Sequence, residues 1–222
     1  MLKFFFNKAP NPMKIALFLE ETGIPHQKVA VDTLKGEQHS AEFLAINPNA
    51  KVPAIEDNGV RVFDSSAILL YLADKHGTLA GSPEDRGELL SWMMFIATGI
   101  GPFSGQSVHF RHAAPVEQPY AINRYLREAQ RHYSVLDKHL TGRNFIVGES
   151  LTIADISAWG WIDKAAVVLG DEGLTPYPNL QRWFASIDSR EAVARARTLG
   201  HDVEFKSTVD DEAKHALYPS NY

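Results

Sequence analysis

The chain's 222 residues, 45% of them hydrophobic and 22% charged, can bury one large core or two modest ones. Its net charge of -5 comes from interleaved acids and bases rather than a basic patch, which excludes the electrostatic footprint that nucleic acid demands. Cysteine is absent, so disulfide scaffolds, thiolate metal sites and protein thiol nucleophiles are excluded too, and any sulfur chemistry belongs to a ligand.

Leu2 to Phe6 is a short aromatic run that stops at the turn-prone Asn7-Lys8-Ala9-Pro10, the pattern of a buried strand and a loop. Asn7, Lys8 and Pro10 also cut off the apolar start before a signal-peptide core forms, and no later run approaches the roughly 18 apolar residues of a membrane span. A cytoplasmic protein with no membrane partner is expected. From Pro12 the spacing of Ile15, Ala16 and Leu19 predicts a buried helix that Gly23-Ile24-Pro25 ends. His26 to Val31 reads as a second strand, and a polar stretch through Ser40 leads to a short helix over Ala41 to Ile46. After the turn Asn47-Pro48-Asn49, Val52 to Ile55 and Val60 to Val62 flank Glu56-Asp57-Asn58-Gly59 as a β-hairpin. Asp64 and Ser65 then stand as a polar cap before the apolar Ala67, Ile68, Leu69, Tyr71 and Leu72 of a helix. The order is βαβ-ββα, an α/β domain over residues 1–77.

Pro83 opens a chain with helical spacing to residue 200, broken near Gly99, Gly101 and Pro102, at His112 to Pro115, at Gly142, at Gly170 to Gly173 and at Pro176 to Pro178. An all-helical second domain over residues 83–200 is expected. Within it Thr152 and Asp155 form a capping box, with Leu151 able to staple onto Ile156, and their role reads as structural. Residues 201–222 lack periodicity and are expected to form an extended surface tail.

This α/β plus all-α order, with Val52-Pro53 opening the third strand, resembles the glutathione transferase family over Leu2 to about Leu199. The most specific residues are Asn47-Pro48-Asn49-Ala50-Lys51-Val52-Pro53, the run Phe63-Asp64-Ser65-Ser66-Ala67-Ile68-Leu69-Leu70-Tyr71-Leu72, and the box from Thr152 to Asp155. Finer matches at Pro10-Asn11, at Lys35-Gly36-Glu37-Gln38, from Gly99 to Gln106, at His109-Phe110 and from His112 to Pro115 are similar to the nu-class branch. That branch groups bacterial glutathione-dependent disulfide reductases with the yeast nitrogen-regulator prion protein. The resemblance implies a thioredoxin-like N-terminal domain, a homodimer, and reduced glutathione as cosubstrate, with two molecules or the disulfide form as further states.

It also implies a cis peptide at Val52-Pro53, which would leave the Val52 backbone to pair with the cysteine backbone of glutathione as an added strand does. From the residues alone, Pro53 as the mere start of an edge strand is the commoner case. Asp64 and Ser65 open a helix, so amides and the Ser65 hydroxyl suit the γ-glutamyl carboxylate while Asp64 suits the ammonium; a plain N-cap is the alternative. The thiol needs help to ionise, and the helix read as starting at Pro12 turns its amides toward residues 9 to 11, with Asn11 as N-cap and amide donor to the sulfur. A threonine usual at position 9 in the bacterial branch is Ala9 here. Gln38 and Lys51 match positions that meet the glycine end, or are solvated surface groups. Arg131 matches an arginine that reaches a neighbouring site across the dimer. Phe103, Gln106, His109 and Phe110 are the candidates for a second-substrate pocket between the domains. His109 and His112 stand at i, i+3 without a third ligand cluster, so no metal is expected.

Three functions follow from one activated sulfur. Glutathione thiolate attacking a disulfide or organic hydroperoxide is favoured by the nu-class likeness; conjugation to an electrophilic carbon uses the same group. A non-catalytic glutathione-binding regulatory module is the third, weakened because this chain has no Asn/Gln-rich extension.

Overall fold

The computed structural model describes residues 1–220; Asn221 and Tyr222, the end of the expected tail, lie outside the described residues. The chain divides into two units, Met1–Leu72 with Ala192–Tyr222, and Ala73–Glu191.

The first unit is built on a four-stranded sheet of β1 (Leu2–Phe6), β2 (His26–Ala30), β3 (Ala54–Asp57) and β4 (Val60–Phe63), in the order β2-β1-β3-β4. β1 runs parallel to β2 and antiparallel to β3, and β3 pairs antiparallel with β4. Period-two alternation sends the aromatic residues of β1 to both faces. Phe4 and Phe6 lie on one side with ring centroids 5.6 Å apart, while Phe5 joins Val31, Phe43 and Ala54 on the other. Each of the buried phenylalanines contributes roughly 1.5–3 kcal/mol of transfer free energy. The β3–β4 hairpin is tighter than its sequence suggested. Both strands extend until only Asn58 and Gly59 remain, at φ 49° and 89°, the positive values that a two-residue type I′ turn requires.

Helix α1 (Pro10–Thr22) starts two residues before the expected Pro12 and ends at Gly23, whose φ of 65° lets its N–H reach the Leu19 carbonyl. Helix α2 (Ala41–Leu44) is capped by the Ser40 hydroxyl, which accepts from the Phe43 N–H. Helix α3 (Ser65–His76) follows β4 after a single residue.

The second unit contains α4 (Arg86–Phe95), α5 (Gly101–His112), α6 (Pro119–His139), α7 (Ile153–Ile162), α8 (Ala165–Leu169) and α9 (Pro178–Asp188). The expected break near Gly99 to Pro102 does not occur: a π-turn over Ile96–Ile100 joins α4 to α5 without a loop, and Pro102 sits in the first turn of α5, where its missing N–H is tolerated. Gly99 is needed there for close approach, since a Cβ at this position would stand 2.4 Å from the His132 ring. The box at the start of α7 forms, with Thr152 Oγ1 accepting from the Ala154 N–H and Asp155 Oδ2 accepting from the Thr152 N–H at 2.9 Å. Asp155 is buried and does more than cap: its Oδ1 also accepts from the Ile146 N–H and the Trp183 indole, each at 2.9 Å.

From Ala192 the chain returns to the first unit. Helix α10 (Glu191–Ala196) is tied to α1 by the Arg195–Glu20 pair at 3.0 Å. The tail is not simply extended. Its Lys206 N–H donates to Asp32 Oδ2 at 2.7 Å, Phe205 meets the Phe6 ring, and Asp210 caps a last helix, α11 (Asp211–Leu217).

Candidate functional site

The sheet register decides which loops meet. Phe5 at the C-terminal end of β1 pairs with Ala54 at the N-terminal end of β3, and Ala54 pairs with Phe63 at the C-terminal end of β4. Since β2 is parallel to β1, the segments after β1, after β2, before β3 and after β4 all leave from one end of the sheet. Asn11, Gln38, Lys51 to Pro53 and Asp64 to Ser65 belong to those four segments. Open α/β sheets place ligands at such an end.

Val52 and Pro53 are joined by a cis peptide bond, and Val52 lies just outside both ladders, which begin at Ala54. Lys51 is exposed, and its carbonyl accepts from the side chain of Asn47, a buried residue that ties the turn together. Asp64 sits at φ 71°, and its Oδ1 accepts from the Ser66 and Ala67 N–H groups at 2.8 and 3.2 Å. Asp64 is therefore the N-cap of α3, and Ser65 is the first helical residue. The Ser65 hydroxyl, 5% exposed, is left to other work: it accepts from Lys14 Nζ at 3.4 Å. Sequence reasoning passed over Lys14, although its place among Ile15, Leu17 and Phe18 put it on the buried face of α1.

At the start of α1 the cap is Ala9, with no side-chain capping bond, so Asn11 is not the N-cap but the second helical residue. The amide supply is smaller than expected. Pro10 and Pro12 carry no N–H, the Met13 N–H donates to the Ala9 carbonyl, and the Ala9 N–H donates to Asn7 Oδ1. Asn11 alone among the first three helical residues has a backbone N–H, and it adds a side-chain amide. A cavity of about 530 Å³ opens beside this loop, walled by Asn7, Lys8, Ala9 and Thr33 and by Val203 and Phe205 of the tail.

Gln38 lies on a 3₁₀ turn (Glu37–His39) and is only 2% exposed. Its Nε2 donates to the Ala216 carbonyl of α11 at 2.8 Å, so one donor of this amide holds the tail. Its Oε1 is buried with no hydrogen-bond partner among the described residues.

The remaining candidates lie in the second unit. Arg131 is exposed and pairs along α6 with Glu128, where Arg124 joins from the other side and the two guanidinium groups pull the carboxyl down to about 2. Phe103 and Phe110 face α6, Phe103 with His132 at 5.0 Å and Phe110 stacked on Tyr125 at 5.2 Å, so both rings serve the α5–α6 seam. Gln106 is exposed, His109 makes an edge contact with Phe110, and the His112 imidazole lies 3.4 Å from the Val167 carbonyl. The glycines of this stretch admit neighbouring rings: Gly99 lies under His132, and Gly101 and Gly105 lie against Trp161.

Residues 2–74 match the family model described as "Glutathione S-transferase, N-terminal domain", and residues 119–186 match "Glutathione S-transferase, C-terminal domain". The chain is 42% identical over 204 residues to disulfide-bond oxidoreductase YfcG of Escherichia coli (strain K12), covering 88% of this chain and 94% of that one. Among solved structures it is similar to a glutathione transferase from Burkholderia graminis with two glutathione molecules bound per subunit, at TM-score 0.83 and 35% identity over 89% of this chain and 88% of that one. It is also similar to a glutathione transferase from Pseudomonas putida with one glutathione disulfide per subunit, at TM-score 0.82 and 33% identity over 89% and 91% of the two chains.

Proposed function

From the chain's membership of the glutathione S-transferase family, we propose a glutathione-dependent enzyme of the nu-class branch that reduces disulfides or organic hydroperoxides. The observation that carries this reading is the gathering of Asn11, Val52-Pro53 and Asp64-Ser65 at one end of the sheet, where a tripeptide lying across the strand ends meets all three. The γ-glutamyl carboxylate lies on the hydroxyl and backbone N–H of Ser65, its ammonium faces Asp64, and the cysteine backbone pairs with Val52. The sulfur then comes to the start of α1, where Asn11 supplies a backbone and a side-chain donor that favour the thiolate.

The thiolate attacks one sulfur of a disulfide, forming a mixed disulfide and releasing the other half as a thiolate that takes a proton from water. A second glutathione attacks the mixed disulfide, giving glutathione disulfide and the second thiol. No protein thiol is used, in keeping with the absence of cysteine. Lys51 at the glycine end, Arg131 across a homodimer, a second-substrate pocket near Phe103, Gln106, His109 and Phe110, and a cytoplasmic location complete the proposal.

Turnover of reduced glutathione with 2-hydroxyethyl disulfide, cumene hydroperoxide and chlorodinitrobenzene tests it. Activity is expected with the disulfide or the hydroperoxide. Activity with chlorodinitrobenzene alone would make the protein a conjugating transferase, and tight glutathione binding without turnover of any would make it a binding module.

A further inference from the structure

Lys14 is the charged residue whose place in the fold the site chemistry has not used. It stands in the fifth position of α1, flanked by the buried Ile15, Leu17 and Phe18, and is 2% exposed. Long cationic side chains ordinarily carry the charge back to water, and this one does not. Its ammonium donates to the Ser65 hydroxyl at 3.4 Å, and the charged group acting on it is the Asp64 carboxylate at the β4–α3 junction. The other acids of the sheet and its neighbours are engaged elsewhere: Asp32 with Lys35 and the Lys206 amide, Glu56 with Lys3 and Arg61, Asp57 with Tyr71, and Glu20 with Arg195. Burial lowers Lys14 from 10.5 to about 8, against the pull of Asp64.

A structural tie between α1 and α3 would be made as well by an apolar pair, without the cost of desolvating an ammonium. That cost is offset when an anion binds beside the hydroxyl that the ammonium holds. We propose that Lys14 is a positioning residue of the glutathione site, orienting the Ser65 hydroxyl and supplying, from inside the fold, the positive charge that the γ-glutamyl carboxylate meets through it. The inference rests on Ser65 as the carboxylate subsite. Its physical consequence is linkage: the arriving carboxylate favours the charged form of Lys14, which takes its proton from the buffer.

S-methylglutathione, whose thiol is capped, removes sulfur ionisation from the proton count, and the share taken up by its own α-amino group is common to wild type and variants. It is titrated calorimetrically into the full chain at pH 8 in two buffers of different ionisation enthalpy. At that pH a lysine near 8 is half deprotonated, so wild type should take up about half a proton more per bound ligand than a chain with no titrating group at position 14. Lys14→Met should bind about tenfold more weakly and lose that extra uptake. Lys14→Arg, charged at every accessible pH, should recover much of the affinity without recovering the extra uptake, which a purely structural tie would not produce. Wild-type uptake no greater than that of Lys14→Met overturns the inference, as does unchanged affinity in Lys14→Met. Failure of wild type to bind S-methylglutathione overturns the glutathione reading itself.

Discussion

Replacing Lys14 by methionine should stabilise the unliganded protein. The displacement of Lys14 from 10.5 to about 8 means that the folded state penalises the ammonium by ~3 kcal/mol, at about 1.4 kcal/mol per pH unit. Methionine fills nearly the same volume without the charge, and the loss of the 3.4 Å bond to Ser65 returns about 1 kcal/mol. The net gain is ~2 kcal/mol at pH 7, worth roughly 4–8 °C in the unfolding midpoint for a chain of this size. The pH dependence fixes the cause. The folded value lies below the unfolded one, so between about 8 and 10.5 the unfolded chain binds more protons, and wild-type stability from this group rises with pH across that window. Below about 8 the penalty is fully present; above 10.5 it is gone. Thermal unfolding of both proteins without ligand, at one protein concentration from pH 7 to 10.5, should show the variant ahead at pH 7 and the gap closing by pH 10.5. A variant less stable at pH 7, or a gap constant across the range, refutes the reasoning.

Asn11→Ala should lower disulfide-reductase turnover more than tenfold with the fold intact by circular dichroism, since one oxyanion-type donor is typically worth roughly 10²–10³ and the residue's backbone N–H remains. Unchanged turnover would assign sulfur activation to that N–H alone. Asp155→Ala strands the N–H groups of Ile146 and Thr152 and the indole of Trp183 in a fully buried place, at about 1–3 kcal/mol each, so the unfolding midpoint should fall by more than ~6 °C. A smaller fall would mean that the box is dispensable. Gly99→Ala should destabilise by roughly 1–3 kcal/mol, because its Cβ meets a His132 ring held between Phe95 and Phe103 at 5.0 Å on each side. In an open helix the same change would stabilise by about 1 kcal/mol, so the sign of the midpoint shift decides between the two situations.

Local signals were legible wherever a residue's role depends on its near neighbours. Gly23, the Asn58-Gly59 turn and the Thr152–Asp155 box announce their own geometry within four residues, and the structure realises each. Relations across the chain were not legible. Gly99 and Pro102 have the composition of a break, but His132 and Trp161 pack against the glycines and keep the helix continuous through a π-turn. The tail lacks an apolar stripe, yet Asp210 with Asp211 and Glu212 in the first turn and Lys214 and His215 in the last are helix signals that periodicity alone overlooks. Nothing near Gln38 announces the partner of its amide, the Ala216 carbonyl 178 residues away.

The departures from folding rules also have a common address. Of the described residues other than glycine with positive φ, Asn58 is required by its turn and lies at the far end of the hairpin, and Leu79 belongs to the second unit. The other two, Ala50 at 53° and Asp64 at 71°, flank Lys51 to Pro53 and Ser65. The buried Lys14 ammonium and the buried, unpartnered Gln38 Oε1 fall in the same unit, on segments leaving the same end of the sheet. Each opposes stability: left-handed backbone at a residue with a Cβ, a desolvated charge, an acceptor without a donor. Packing gives no reason for four such costs to gather where four loops converge. A ligand with a carboxylate for the Lys14–Ser65 pair and a peptide backbone for Val52 does give one, because it returns part of the cost on binding, and violations held together at one site are the mark of a function that the fold sustains at the expense of its own stability.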